Sequence, residues 1–126
     1  MDRIKVFLVD DEKEFVTTLS ERIEMRNFCC DVAFSGEQAL ELLEKESCDV
    51  MVLDLNMPGM DGLETLKNAR VIRPGIKAII LTGHGSEKER IQAMDLGAFA
   101  YLQKPVSLDT LIDAINSARL DPCENS

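Results

Sequence analysis

Apolar residues recur along this chain in two alternating rhythms. Residues 3–9 form a β-branched apolar run that reads as a strand. Residues 12–26 then carry Phe15, Leu19 and Ile23 at helical spacing, with Val16 beside them. Residues 29–34 predict a short second strand. Ser35, with Gln38 three positions on, predicts a capping box that opens a second helix lined by Ala39, Leu40, Leu42 and Leu43. Residues 50–53 predict a third strand, and Asp61 with Glu64 the start of a third helix. After the Pro74-Gly75 break, residues 77–82 predict a fourth strand, and Ser86 with Glu89 caps a fourth helix. Residues 98–102 predict the fifth strand. Ser107 starts a last helix that turns Leu108, Leu111, Ile112, Ile115 and Ala118 inward, with Pro122 ending it.

This rhythm makes five βα units. The first, third and fourth strands carry the continuous apolar runs 6–9, 50–53 and 78–81 and do not alternate, the pattern of strands buried on both faces of a parallel sheet covered by helices. Right-handed crossovers restrict such a chain to a few doubly wound topologies. The expected fold is α/β: a five-stranded parallel sheet in the flavodoxin-like order 2-1-3-4-5, with five helices. Its 126 residues suit one domain over residues 1–120, followed by a flexible tail over 121–126.

Composition removes several functions. The longest apolar runs are far shorter than the roughly 20 residues that span a bilayer. No signal peptide precedes the first strand, so a cytoplasmic protein without a membrane partner is expected. Cys29, Cys30, Cys48 and Cys123 make neither a C-x-x-C pair nor a zinc spacing, and read as reduced thiols. A net charge of −9 repels nucleic acid phosphates and disfavours direct nucleic acid binding.

Doubly wound sheets bind ligands at the carboxyl ends of their strands, beside the point where strand order reverses. There stand Asp10 and Asp11, then Asp54, then Thr82, Gly83 and His84, then Gln103, Lys104 and Pro105. With the first and third strands adjacent, three carboxylates share one cleft and face a hydroxyl and an ammonium. Clustered carboxylates repel, and a hard divalent cation relieves the conflict. Oxygen ligands without His or Cys favour magnesium, or manganese, over zinc. Lys104 can pair with a phosphoryl oxygen and Thr82 can donate to one. Asp54 can serve as a nucleophile and form an aspartyl phosphate. Plainer roles stand beside these: Asp11 as a helix N-cap with Glu14, Asp54 as a turn residue, Lys104 as a surface lysine, Tyr101 as a packing residue. His84 reads as a solvent-facing loop residue.

The motifs Val9-Asp10-Asp11-Glu12, Asp54-Leu55-Asn56-Met57-Pro58-Gly59-Met60-Asp61-Gly62, Leu81-Thr82-Gly83-His84, Gly97-Ala98 and Lys104-Pro105 stand in this order at strand ends. Together they resemble the receiver domain of two-component response regulators, the CheY-like family, from Lys5 to about Leu120. The resemblance implies that Asp54 is the phosphoacceptor. It implies that Asp11 coordinates magnesium directly, Asp10 largely through water, and the Asn56 backbone carbonyl as a third protein ligand. Thr82 and Lys104 would hold phosphoryl oxygens, Tyr101 would be the switch aromatic, and Lys104-Pro105 a cis peptide. A sensor histidine kinase or histidine phosphotransfer protein would supply the phosphoryl group. The fourth helix, fifth strand and fifth helix would present the changed surface to an output domain or partner. A magnesium-dependent phosphohydrolase with an aspartate nucleophile is the alternative. Such enzymes usually carry the nucleophile after the first strand with a second Asp two residues on, whereas here the apparent nucleophile follows the third. A flavodoxin would need a Ser/Thr/Gly-rich phosphate loop where this chain has acids.

Overall fold

The computed structural model describes residues 3–83 and 85–121. His84, Pro122, Cys123 and the rest of the expected tail beyond Asp121 lie outside the described residues. The elements run β1 (Ile4–Val9), α1 (Lys13–Glu24), β2 (Phe28–Ala33), α2 (Gly36–Lys45), β3 (Val50–Leu53), α3 (Gly62–Ile72), β4 (Ala78–Thr82), α4 (Glu87–Asp95), β5 (Ala100–Gln103) and α5 (Leu108–Leu120). All five strands are parallel, in the order β2-β1-β3-β4-β5. The expected topology is therefore the observed one. Most strand limits fall within a residue of expectation; β5 begins two residues later and includes Gln103, which pairs with Thr82.

Alternation along the inner strands sends successive side chains to opposite faces. Phe7, Val9, Met51, Leu53, Ala78 and Ile80 meet Ala39, Leu43, Leu66, Ala69 and Ala93 from α2, α3 and α4. Val6, Leu8, Val50, Val52, Ile79 and Leu81 meet Val16, Ile23, Leu111 and Ile115 from α1 and α5. Two packed layers thus hold one sheet, which is why the inner strands show no polar alternation. Truncating a fully buried Leu43 or Leu66 to Ala is worth about 2–5 kcal/mol of stability.

Four helices start on side-chain caps. Ser86 and Glu89 form the full reciprocal box. Ser35 accepts from the Gln38 N–H at 3.1 Å, but the Gln38 side chain reaches the Phe34 N–H rather than that of Ser35. Asp61 accepts from the Glu64 N–H, and Ser107 from the Thr110 N–H. The start of α1 departs from expectation. Its N-cap is Glu12, not Asp11, and no side-chain cap bond closes its first turn among the described residues. The cause is the preceding residue: Asp10 Oδ1 accepts the Glu12 N–H at 2.9 Å and bends the chain out of β1 before the helix begins. Phe15 departs too. Expected on the inward face, it is 37% exposed, because its ring lies over a lysine at the sheet's edge instead of entering the core.

Candidate functional site

The ladder continues one residue beyond three strands and fixes the backbone of the residues that follow. Asp10 N–H donates to the Ala33 carbonyl at 3.1 Å, Asp54 N–H to Val9 at 3.0 Å and Lys104 N–H to Thr82 at 2.9 Å. Asp10 and Asp54 are thus held side by side at the reversal of strand order, with Thr82 and Lys104 across from them. Gly62 closes the far wall. A Cβ there would strike the Asp54 carbonyl and lie 2.5 Å from Leu55 Cα, so only glycine lets α3 begin against the Asp54 segment. The Lys104-Pro105 peptide is cis, as expected.

Asp10 and Asp54 are almost completely buried. Carboxylate oxygens of Asp10, Glu12 and Asp54 lie within 4.8 Å of one another. One ammonium stands among them: Lys104 Nζ is 2.8 Å from Asp10, 2.7 Å from Glu12 and 3.9 Å from Asp54. The Phe15 ring centroid lies 4.3 Å from the same nitrogen, a cation–π distance. Burial pushes the Asp10 carboxyl above the usual carboxylate range, and repulsion from Asp54 adds to the rise; the bonds from Lys104 and the Glu12 N–H only partly offset it. Burial works against the Lys104 charge as well, but hydrogen bonds to Asp10 and Glu12 outweigh it and raise the lysine above its ordinary value. One lysine serving three carboxylates leaves excess negative charge in a pocket of hard oxygen donors. That donor set fits a divalent cation of the magnesium type and offers no thiolate or imidazole among the described residues.

The remaining expected residues are arranged around this centre. Asp11 is half-buried and is not in the 4.8 Å group. Asn56 is exposed; its N–H makes a long 3.4 Å contact with Asp54 Oδ1, and its side-chain amide donates to Thr82 Oγ1 at 3.2 Å. Thr82 is completely buried. The Tyr101 hydroxyl occupies the space a Cβ on Gly85 would need, close to the Thr82 methyl. That hydroxyl is buried with no hydrogen-bond partner among the described residues, and burial raises its pKa.

Sequence reasoning missed Glu12 and Phe15. Glu12 had a visible signal, a third acid after Asp10-Asp11, but its place at a helix start supplied a sufficient local explanation. Phe15 had none, since its spacing matches that of the core residues of α1.

The chain matches the family model described as "Response regulator receiver domain" over residues 6–116. It is 42% identical over 113 residues to the transcriptional regulatory protein CpxR of Escherichia coli strain K12, covering 90% of this chain and 48% of that protein. The chain therefore spans about half the length of the curated relatives of this kind that it matches. Its fold is similar to a CheY-like receiver domain protein from Methanospirillum hungatei JF-1, with a TM-score of 0.90 at 27% identity, covering 94% of both chains. It is similar as well to a Burkholderia pseudomallei response regulator solved with a phosphorylated aspartic acid, a calcium ion and citrate. There the TM-score is 0.86 at 26% identity, over 94% of this chain and 69% of that one.

Proposed function

The chain belongs to the response regulator receiver domain family, and from that premise we propose that it is a switch which accepts a phosphoryl group on Asp54 and passes the change to an output partner. The observation that carries this reading is the pairing of the two buried carboxylates, Asp10 and Asp54, with Lys104 at the strand-order reversal. A carboxylate oxygen of Asp54 attacks phosphorus as the bond to the donor's leaving group breaks, and the leaving group departs with the electron pair. Phosphoryl transfer of this kind asks for position and charge compensation more than for acid–base work.

Asp10, Asp11, Asp54 and the Asn56 carbonyl would hold magnesium, or manganese; bound there, the ion supplies positive charge to the phosphoryl oxygens. Thr82 accepts its hydrogen bond from the Asn56 amide, which leaves its own O–H free to donate to a phosphoryl oxygen. Lys104 supplies a charge-assisted bond to another. If Thr82 is drawn toward the phosphoryl group, the contacts behind it change, and Tyr101 lies there. Its hydroxyl is buried with no hydrogen-bond partner among the described residues. A ring that can take two positions would respond to a small bias of this kind. The changed surface would be α4, β5 and α5.

The phosphoryl donor would be a sensor histidine kinase or a histidine phosphotransfer protein, and the net charge of −9 directs the output toward protein rather than nucleic acid. The test is intact-mass spectrometry after incubation with acetyl phosphate and magnesium. The wild-type protein is expected to gain one phosphoryl group and Asp54→Asn none. Full labelling of the variant would remove Asp54 from the role.

A further inference from the structure

Lys104 does not face Asp54 alone. Its ammonium has three N–H donors. Asp10 and Glu12 take two of them at 2.8 and 2.7 Å, and the Phe15 ring covers another side at 4.3 Å. Asp54 Oδ2, at 3.9 Å, is outside the 2.7–2.9 Å range of a charge-assisted hydrogen bond. Without a phosphoryl group, the lysine is therefore held by Asp10 and Glu12, beside Asp54 but not hydrogen-bonded to it.

The two carboxylates that hold it are unlike. The Asp10 side chain is 6% exposed and is fixed by its bond from the Glu12 N–H, so it stays in the cleft. The Glu12 side chain is 62% exposed and projects from the N-cap of α1 on a flexible stem. An exposed carboxylate that loses its partner is rehydrated at once, whereas a buried one is not. Of the two contacts, the one to Glu12 is the one that can be surrendered.

We propose that Glu12 is a positioning residue that stands in for the phosphoryl group on Lys104: it pairs with the ammonium in the resting protein and yields it when a phosphoryl oxygen arrives. This rests on the reading of Asp54 as phosphoacceptor and adds to it a residue that sets how readily the site is occupied. Glu12 competes with the phosphoryl group for one ammonium, so its charge opposes occupancy. Phe15 keeps the ammonium near the cleft during the exchange, since a cation over a ring face retains attraction while its hydrogen bonds are remade.

The experiment measures the affinity of beryllofluoride, a phosphoryl mimic, at saturating magnesium for the wild type, Glu12→Gln and Glu12→Ala, at low and high salt. Glutamine keeps the length and loses the charge. Both variants are expected to bind the mimic about three-fold more tightly, within the range a part-exposed ion pair supports. The gain should shrink at high salt, because salt screens the pair in the wild type; a merely structural role for Glu12 would not produce that trend. The magnesium response of melting is measured alongside. Equal affinities, or a gain independent of salt, would overturn the proposal. A weakened magnesium response in both variants would overturn it too, making Glu12 a cation ligand. If the wild type itself takes no beryllofluoride, the phosphoacceptor reading fails and this proposal with it. Because Glu12 makes no side-chain cap bond to α1, two folded variants are expected.

Discussion

Two lysines in this molecule are each gripped by two carboxylates, at opposite ends of the sheet. Lys5, near the start of β1, has its Nζ 2.5 Å from Glu46 and 3.3 Å from Asp31. Lys104, just beyond β5, meets Asp10 and Glu12 at closely similar distances. The carboxylates respond in opposite directions. The hydrogen bond from Lys5 holds Glu46 below the usual carboxylate range, so that cluster is satisfied as it stands. Asp10 is pushed up despite Lys104, because burial and Asp54 together outweigh one ammonium. Ion-pair distance alone therefore does not separate a structural contact from a functional one. What separates them is the charge left over once the pair is formed, and only the Lys104 end has a deficit that a cation and a phosphoryl group could resolve.

The largest expected contrast lies in signalling. In Lys104→Met, the chemical-shift changes that beryllofluoride and magnesium induce across residues 86–118 should be lost, while Lys5→Met should keep them. Equal responses in the two variants would mean that the Lys104 end is not special. The next contrast concerns magnesium. A cation bound only by the folded protein at ten times its Kd adds about 1.4 kcal/mol of stability. Thermal melts should show a gain of this kind in the wild type and in Asp31→Ala, and no gain in Asp11→Ala. A magnesium response that survives in Asp11→Ala would move the cation to other ligands. Asp11 is the sharp case, since it stands beside the carboxylate group rather than within it.

The smallest contrast is in pH. With divalent cations removed by chelation, carboxyl carbon resonances should show Asp10 titrating above 3.8 and Glu46 below 4.5. The signs differ. Glu46, with a depressed folded pKa, contributes stability that is present above its unfolded pKa and lost as pH falls through the folded one. Asp10, with a raised folded pKa, binds its proton more readily when folded, so acidification through its folded pKa favours the native state. An Asp10 that titrates below 3.8 would leave the charge-deficit argument without support.

The fold was legible because the inner strands are apolar on both faces, a pattern with few competing explanations, and because capping residues mark four of five helix starts. The grouping of Asp10, Asp54, Thr82 and Lys104 was legible for a related reason: each stands at or just past the end of a strand, and the ladder brings those ends together. Glu12 and Phe15 were not. Their contacts are with a lysine about ninety residues away, and at their own positions each satisfied a local rule, one as a helix-start acid and the other as an inward apolar residue. The false Asp11 cap has the same origin. A local motif was complete, but the chain turns on the bond from the Glu12 N–H to Asp10, and the helix starts with Glu12 as its N-cap.

The position of β5 at the open edge of the sheet carries a consequence for biosynthesis. A chain leaving the ribosome amino end first exposes β1, β3 and β4 before β5. Asp10 and Asp54 are neighbours through the β1–β3 ladder, which needs neither β5 nor α5 to pair. Lys104 follows the last strand and is delivered to the carboxylates by the final edge pairing, Thr82 with Gln103. The carboxylates of the cleft are therefore synthesised before the ammonium that faces them.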